Sequence, residues 1–73
     1  MTQRYQRSLS AAVNKAREGE YKFKQFKYFE AADAYRQAIN LLPDGYDEVL
    51  ANYLDEAGYA LFLAGEYNQA KSL

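Results

Sequence analysis

Between residues 31 and 43 the chain carries a pattern that leaves little choice of fold. Ala31, Ala34, Tyr35, Ala38, Ile39 and Leu42 fall at i, i+3, i+4, i+7, i+8 and i+11, one continuous face of an α-helix, with Asp33, Arg36, Gln37 and Asn40 largely on the other side. Pro43 ends the pattern, because a proline pushes the residue before it out of the helical region. Pro43-Asp44-Gly45 has the composition of a turn. The rest of the chain agrees. Thr2, Val13, Ile39 and Val49 are its only β-branched residues, and alanine, leucine, glutamate, lysine, glutamine and arginine, all good helix formers, dominate. No stretch alternates with a two-residue period between turn residues, so strands are not expected. The reading is all-α.

Two further helices flank this one. The first opens at Ser8 or Ser10, either of which can accept a bond from a free backbone N–H. It carries Leu9, Val13, Ala16 and Phe23 along one side and ends around residues 25–27. Gly19 interrupts it at a cost of about 1 kcal/mol relative to alanine, which predicts close approach of another backbone. The second runs from Tyr28 or Phe29 to Leu41. The third begins at Asp44 or Asp47, where acids suit the positive end of the helix dipole, and reaches about Ala64. Its stripe is Leu50, Tyr53, Leu54, Ala57, Leu61 and Ala64. Tyr59, Phe62 and Leu63 make the other side apolar too, so neighbours are expected on both sides. Gly65 is expected at C′ in the left-handed conformation, and Tyr67–Leu73 begins a fourth helical pattern.

Size and composition narrow the function. A chain of 73 residues holds one small domain, whose core supplies roughly 3–5 kcal/mol. It has neither cysteine nor histidine, which excludes a disulfide framework, a thiolate metal site, and the commonest general base and zinc ligand. Asp47–Glu48 and Asp55–Glu56 are the adjacent carboxylate pairs, but helical neighbours point about 100° apart and do not converge. The glycines are too scattered for a phosphate loop, and no calcium-loop spacing occurs. No catalytic residues, cofactor or metal are expected. The apolar run AGYALFLAG is too short to span a membrane, which needs about 20 residues. MTQRYQRSLS has no apolar segment after its arginines, so the expected location is cytoplasmic. Charge is segregated. Residues 1–27 carry seven basic groups against Glu18 and Glu20, a net of +5, and residues 28–73 carry a net of −6. The halves can complement each other within one fold or between copies, or present a basic face to an acidic partner.

Shifting the chain by 39 residues superposes Ala12 on Ala51, Gly19 on Gly58, Phe23 on Phe62, Tyr28 on Tyr67 and Ala31 on Ala70. Helical repeats of 20–50 residues build solenoids of hairpins. On these residues the chain resembles the tetratricopeptide repeat, a helix–turn–helix unit. Glu18–Pro43 holds Gly19, Tyr28, Ala31, Tyr35, Ala38 and Pro43 at the family's spacing. Leu54, Ala57, Gly58, Leu61, Tyr67 and Ala70 supply part of a second unit. The resemblance implies a single domain of antiparallel hairpins in a right-handed superhelical stack. Repeat 1 covers about 12–45, and a truncated repeat 2 covers about 46–73. It departs from the family in Lys15, Glu18 and Lys22, which stand where bulky apolar residues are usual, and in a spacing of 39 rather than 34 residues. The chain also resembles, less closely, the three-helix microtubule-interacting-and-transport domain.

The tetratricopeptide resemblance implies a non-enzymatic protein–protein interaction module, a scaffold or adaptor holding a peptide or helix. Carried over, the groove is Val13, Ala16, Arg17, Glu20, Phe23 and Lys24 with Asn52, Asp55, Glu56, Tyr59 and Phe62. Some relatives clamp a C-terminal carboxylate with lysine and asparagine. Ala16, Glu20 and Glu56 stand there and do not fit, so a polar or basic-plus-apolar segment is implied instead. A second reading is self-association through the open C-terminal face, burying Leu61, Phe62, Leu63 and Leu73. A third is nucleic-acid binding by Lys22-Phe23-Lys24-Gln25-Phe26-Lys27-Tyr28-Phe29, where bases alternate with rings, although packing explains Phe23 and Tyr28 as well. Close packing at Gly58 further predicts that Gly58→Leu destabilises more than Gly45→Ala.

Overall fold

The computed structural model describes residues 7–72, with side chains described for 7–70. Three helices follow one another: α1 (Leu9–Lys24), α2 (Tyr28–Leu41) and α3 (Asp47–Ser72). α1 and α2 form one helical hairpin, and α3 packs on α2 to form a second. No strand occurs among the described residues. α1 opens on Ser8, whose Oγ accepts from the Ala11 N–H at 3.2 Å. The Ser8 N–H donates to the Leu41 carbonyl at 3.0 Å, tying the start of α1 to the end of α2.

α1 ends in a reversal usually built on glycine. The Lys27 N–H donates to the Lys22 carbonyl at 2.9 Å and the Phe26 N–H to the Phe23 carbonyl at 3.0 Å. This is the Schellman pattern, and its left-handed position is held by Phe26 at φ +64°. The second reversal is the expected one. Leu42 turns extended before Pro43, and Gly45 takes φ +95°.

The core is made of alanine. Ala12, Ala31, Ala32, Ala34, Ala38, Ala57, Ala60 and Ala64 are buried, and Tyr35 and Leu42 are the only large side chains among the buried residues. Small faces let helix axes approach closely, so many weak dispersion contacts replace a few bulky ones. The α2 stripe lies inward as read, with Ile39 half-buried, and Ala32 joins it because α2 is covered from two sides. On α1 the buried positions are Ala12 and Gly19, with Ala16 and Phe23 half-buried beside them; Leu9 stays at the edge.

Three expectations for α3 need correction. Of the stripe read from sequence, Ala57 and Ala64 are buried and Leu50 and Tyr53 half-buried, but Leu54 (55% exposed) and Leu61 (43%) do not face the core; Ala60 does. α2 offers alanines, and α3 turns its own alanines toward them. Gly65 does not end the helix, which continues unbroken to Ser72, so no separate fourth segment forms. A C′ glycine is usually fixed by an apolar residue after it, and here that residue is Glu66. Continuing through glycine costs about 1 kcal/mol, but keeps the backbone ladder through Glu66, Gln69 and Ala70. Finally, Gly58 is not a crossing point. A Cβ built on it meets nothing within 4 Å, because its face of α3 has no neighbour. Leu73 lies outside the described residues.

Candidate functional site

Because α1 and α3 both pack on α2 and hardly on each other, a groove remains between them with α2 as its floor. Its volume is about 520 Å³. The α1 wall is Val13, Ala16, Arg17, Glu20, Phe23 and Lys24; the α3 wall is Asn52, Tyr53 and Glu56; Tyr35 of α2 forms the floor. Eight residues assigned to a groove from sequence thus line one hollow. Tyr59 stands at its end, stacked on Phe23 with ring centroids 5.8 Å apart. Asp55 and Phe62 do not line it, and Phe62 is 60% exposed. They sit at the outer edge of that stripe, about 100° (Asp55) and about 120° (Phe62) around the α3 axis from Glu56, turned away from the groove.

Tyr35 and Tyr53 line the groove although the sequence marks them as packing residues. Tyr35 does both. Its ring lies against the backbone of Gly19, where a Cβ would stand 2.8 Å from Cε2 and 2.9 Å from Cδ2. It also meets the Tyr53 ring at 6.2 Å. Only 6% of the residue is exposed. Burial first, then the charges of Glu56 and Glu20, push its hydroxyl up to about 12. The signal available in sequence was position: a large residue on the middle helix, facing the gap its two neighbours leave open.

The charges are mixed. Lys24 Nζ lies 3.9 Å from Glu20 Oε2. Neither Arg17 nor Glu56 forms an ion pair among the described residues. The atypical charges of α1 find partners on the far side: Lys15 binds Glu18 at 3.1 Å, and Lys22 reaches Glu30 of α2 at 3.0 Å. The hydrogen bond and charge of Lys22 hold the Glu30 carboxyl below its usual range. With Arg7–Asp44 at 3.3 Å, two ion pairs join the basic half of the sequence to the acidic half.

The run of bases and rings at the α1–α2 turn is largely engaged internally. Phe23 meets Tyr28 edge-on at 5.2 Å, and Tyr28 meets Tyr67 at 6.1 Å. Phe26, Tyr28, Phe29 and Tyr67 border a smaller hollow of about 180 Å³. Among the described residues no three carboxylates gather as a metal would need, and no helix is long and apolar enough to cross a membrane. No protein family, curated protein or solved structure matches the chain.

Proposed function

We propose that this chain is a non-enzymatic interaction module in the cytoplasm, a tetratricopeptide-like scaffold or adaptor that holds an extended peptide or helix of a partner protein in the α1–α3 groove. The observation that supports this reading is that eight of the positions carried over from the resemblance, six on α1 and two on α3, line one hollow with Tyr35 at its floor. Its mixture of aliphatic, aromatic, amide and charged walls suits a peptide, with pockets for side chains and polar groups for register. The uninterrupted α3 keeps the three-helix microtubule-interacting-and-transport resemblance alongside, and that reading also ends in peptide capture. Peptide display against the whole chain tests the proposal. Selected peptides should lose binding to Asn52→Trp, which fills the groove, while that variant melts like the wild type. Peptides binding both proteins equally would refute the groove.

Self-association is the second reading, supported by Leu54, Leu61 and Phe62 exposed together on α3. Light scattering at high micromolar concentration decides it: a clean monomer counts against it. Nucleic-acid binding has less support, since Lys22 and Lys24 are paired with acids and Phe23 and Tyr28 with other rings.

A further inference from the structure

We propose that the groove selects a basic segment, and that a lysine or arginine side chain of the partner enters between Glu20 of α1 and Glu56 of α3 and donates a hydrogen bond to the Tyr35 hydroxyl at the floor. This rests on the peptide-groove reading and names the chemistry of the occupant.

The first support is the hydroxyl itself. Tyr35 is more than nine-tenths buried, yet its oxygen has no hydrogen-bond partner among the described residues. No buried side-chain oxygen is left both sealed and unpaired, so the Tyr35 oxygen is open; the residue lines the groove, and the charges that act on its hydroxyl, Glu56 and Glu20, are groove residues too. The second is charge placement. Carboxylates stand on both walls, and both act on this one hydroxyl, raising its pKa beyond the effect of burial. The third is asymmetry. Arg17 and Lys24 lie on the α1 wall only, whereas the α3 wall of Asn52, Tyr53 and Glu56 carries no positive charge. Glu56 has no cation of its own among the described residues.

These three facts discriminate between occupants. An anionic side chain at the floor meets Glu56, which has no cation of its own among the described residues, and Glu20, whose Lys24 stands 3.9 Å away. An aliphatic one covers the phenol and leaves its oxygen without a partner, which is unfavourable. A lysine or arginine donates to the phenol and to both carboxylates, and hydrogen bonds with an ionised partner are the stronger class.

The test is an NMR titration of the isotope-labelled full chain with three end-blocked decapeptide pools, degenerate except for a central arginine, glutamate or leucine. The arginine pool should shift the Tyr35 ring and the Asn52 and Glu56 amides. Glu56→Gln, an exposed substitution, should weaken that pool about tenfold without lowering the melting temperature, the scale of one charge-assisted contact. Tyr35→Phe, which keeps the ring on Gly19, should weaken it several-fold. If the glutamate or leucine pool moves the same resonances as strongly, or if Glu56→Gln leaves the arginine pool unaffected, the basic preference is wrong while the groove stands. If no pool moves them, the groove reading fails and this inference with it.

Discussion

Gly19→Ala gives the sharpest test of how the helices meet. In an open helix this change adds about 1 kcal/mol of stability through propensity alone. At position 19 the new methyl would stand 2.8 and 2.9 Å from two ring carbons of Tyr35 and 3.2 Å from the Ala31 carbonyl oxygen. Carbon atoms rest at about 3.5–4.0 Å, so the ring must retreat by roughly 0.7 Å. It cannot retreat freely, since Tyr53 lies beside it. The alternative, parting α1 from α2, loosens the alanine seam at Ala12, Ala31 and Ala38. Overpacking of this kind costs about 1–3 kcal/mol. Set against the propensity gain, the net is a loss of about 1 kcal/mol, or roughly 4–8 °C in a domain of this size. Thermal unfolding by circular dichroism reads it directly. The decisive control is the same change in a Tyr35→Leu background, where the ring is gone and Gly19→Ala should be neutral or stabilising. A higher melting temperature for Gly19→Ala with Tyr35 in place would refute the close approach.

Other substitutions follow from the same geometry. Gly58 lies in a helix with open space around it and Gly45 sits at φ +95°. Gly58→Leu should therefore be neutral or stabilising and Gly45→Ala should cost about 1 kcal/mol, the reverse of the order expected from sequence; denaturant midpoints compare them. Phe26→Gly relieves a left-handed backbone and loses an edge contact with Tyr28 at 6.3 Å. We expect a gain of up to about 1 kcal/mol, and a loss greater than that would show the ring contact to be the stronger effect. Tyr35 should ionise only near pH 12. Its folded pKa lies above its ordinary value of 10, so its contribution to stability is whole below pH 10 and is lost as pH rises toward 12. The difference in tyrosinate absorbance between the wild type and Tyr35→Phe reads it, and a difference that develops near pH 10 while the chain is folded would contradict it.

The sequence revealed α2 almost completely, and for a definable reason. Its stripe is apolar, its polar residues stand opposite, and Pro43 stops it, so propensity, pattern and turn chemistry agree. α3 was less legible because it is apolar on most of its circumference. Pattern gave the stripe but not its centre: Ala57 and Ala64 are buried as read, while the helix is rotated so that Ala60 joins them and Leu54 and Leu61 turn outward; the alanines of α2 made the choice. Phe26 was hidden for another reason, since a phenylalanine carries no signature of a left-handed position. Gly19 and Gly58 show the limit of residue identity. The same residue, 39 positions apart, is walled in by Tyr35 at one site and stands open at the other. Only the presence of a neighbouring helix distinguishes them.

The groove is a consequence of that packing. Alanine seams draw α1 and α3 down onto α2, and a helix carrying two neighbours on different sides holds those neighbours apart at its own surface. What fills the space between them is whatever α2 presents there, and α2 presents Tyr35. Its ring reaches the floor because Gly19 has no side chain to displace it. Its hydroxyl stays open because α1 and α3 meet little beyond the Phe23–Tyr59 stack. A bulkier residue at position 19 would therefore act at two levels, loosening the hairpin and moving the one polar group on the floor. Stability and peptide affinity should fall together in Gly19→Ala, whereas Glu56→Gln, on the exposed wall, should change affinity alone.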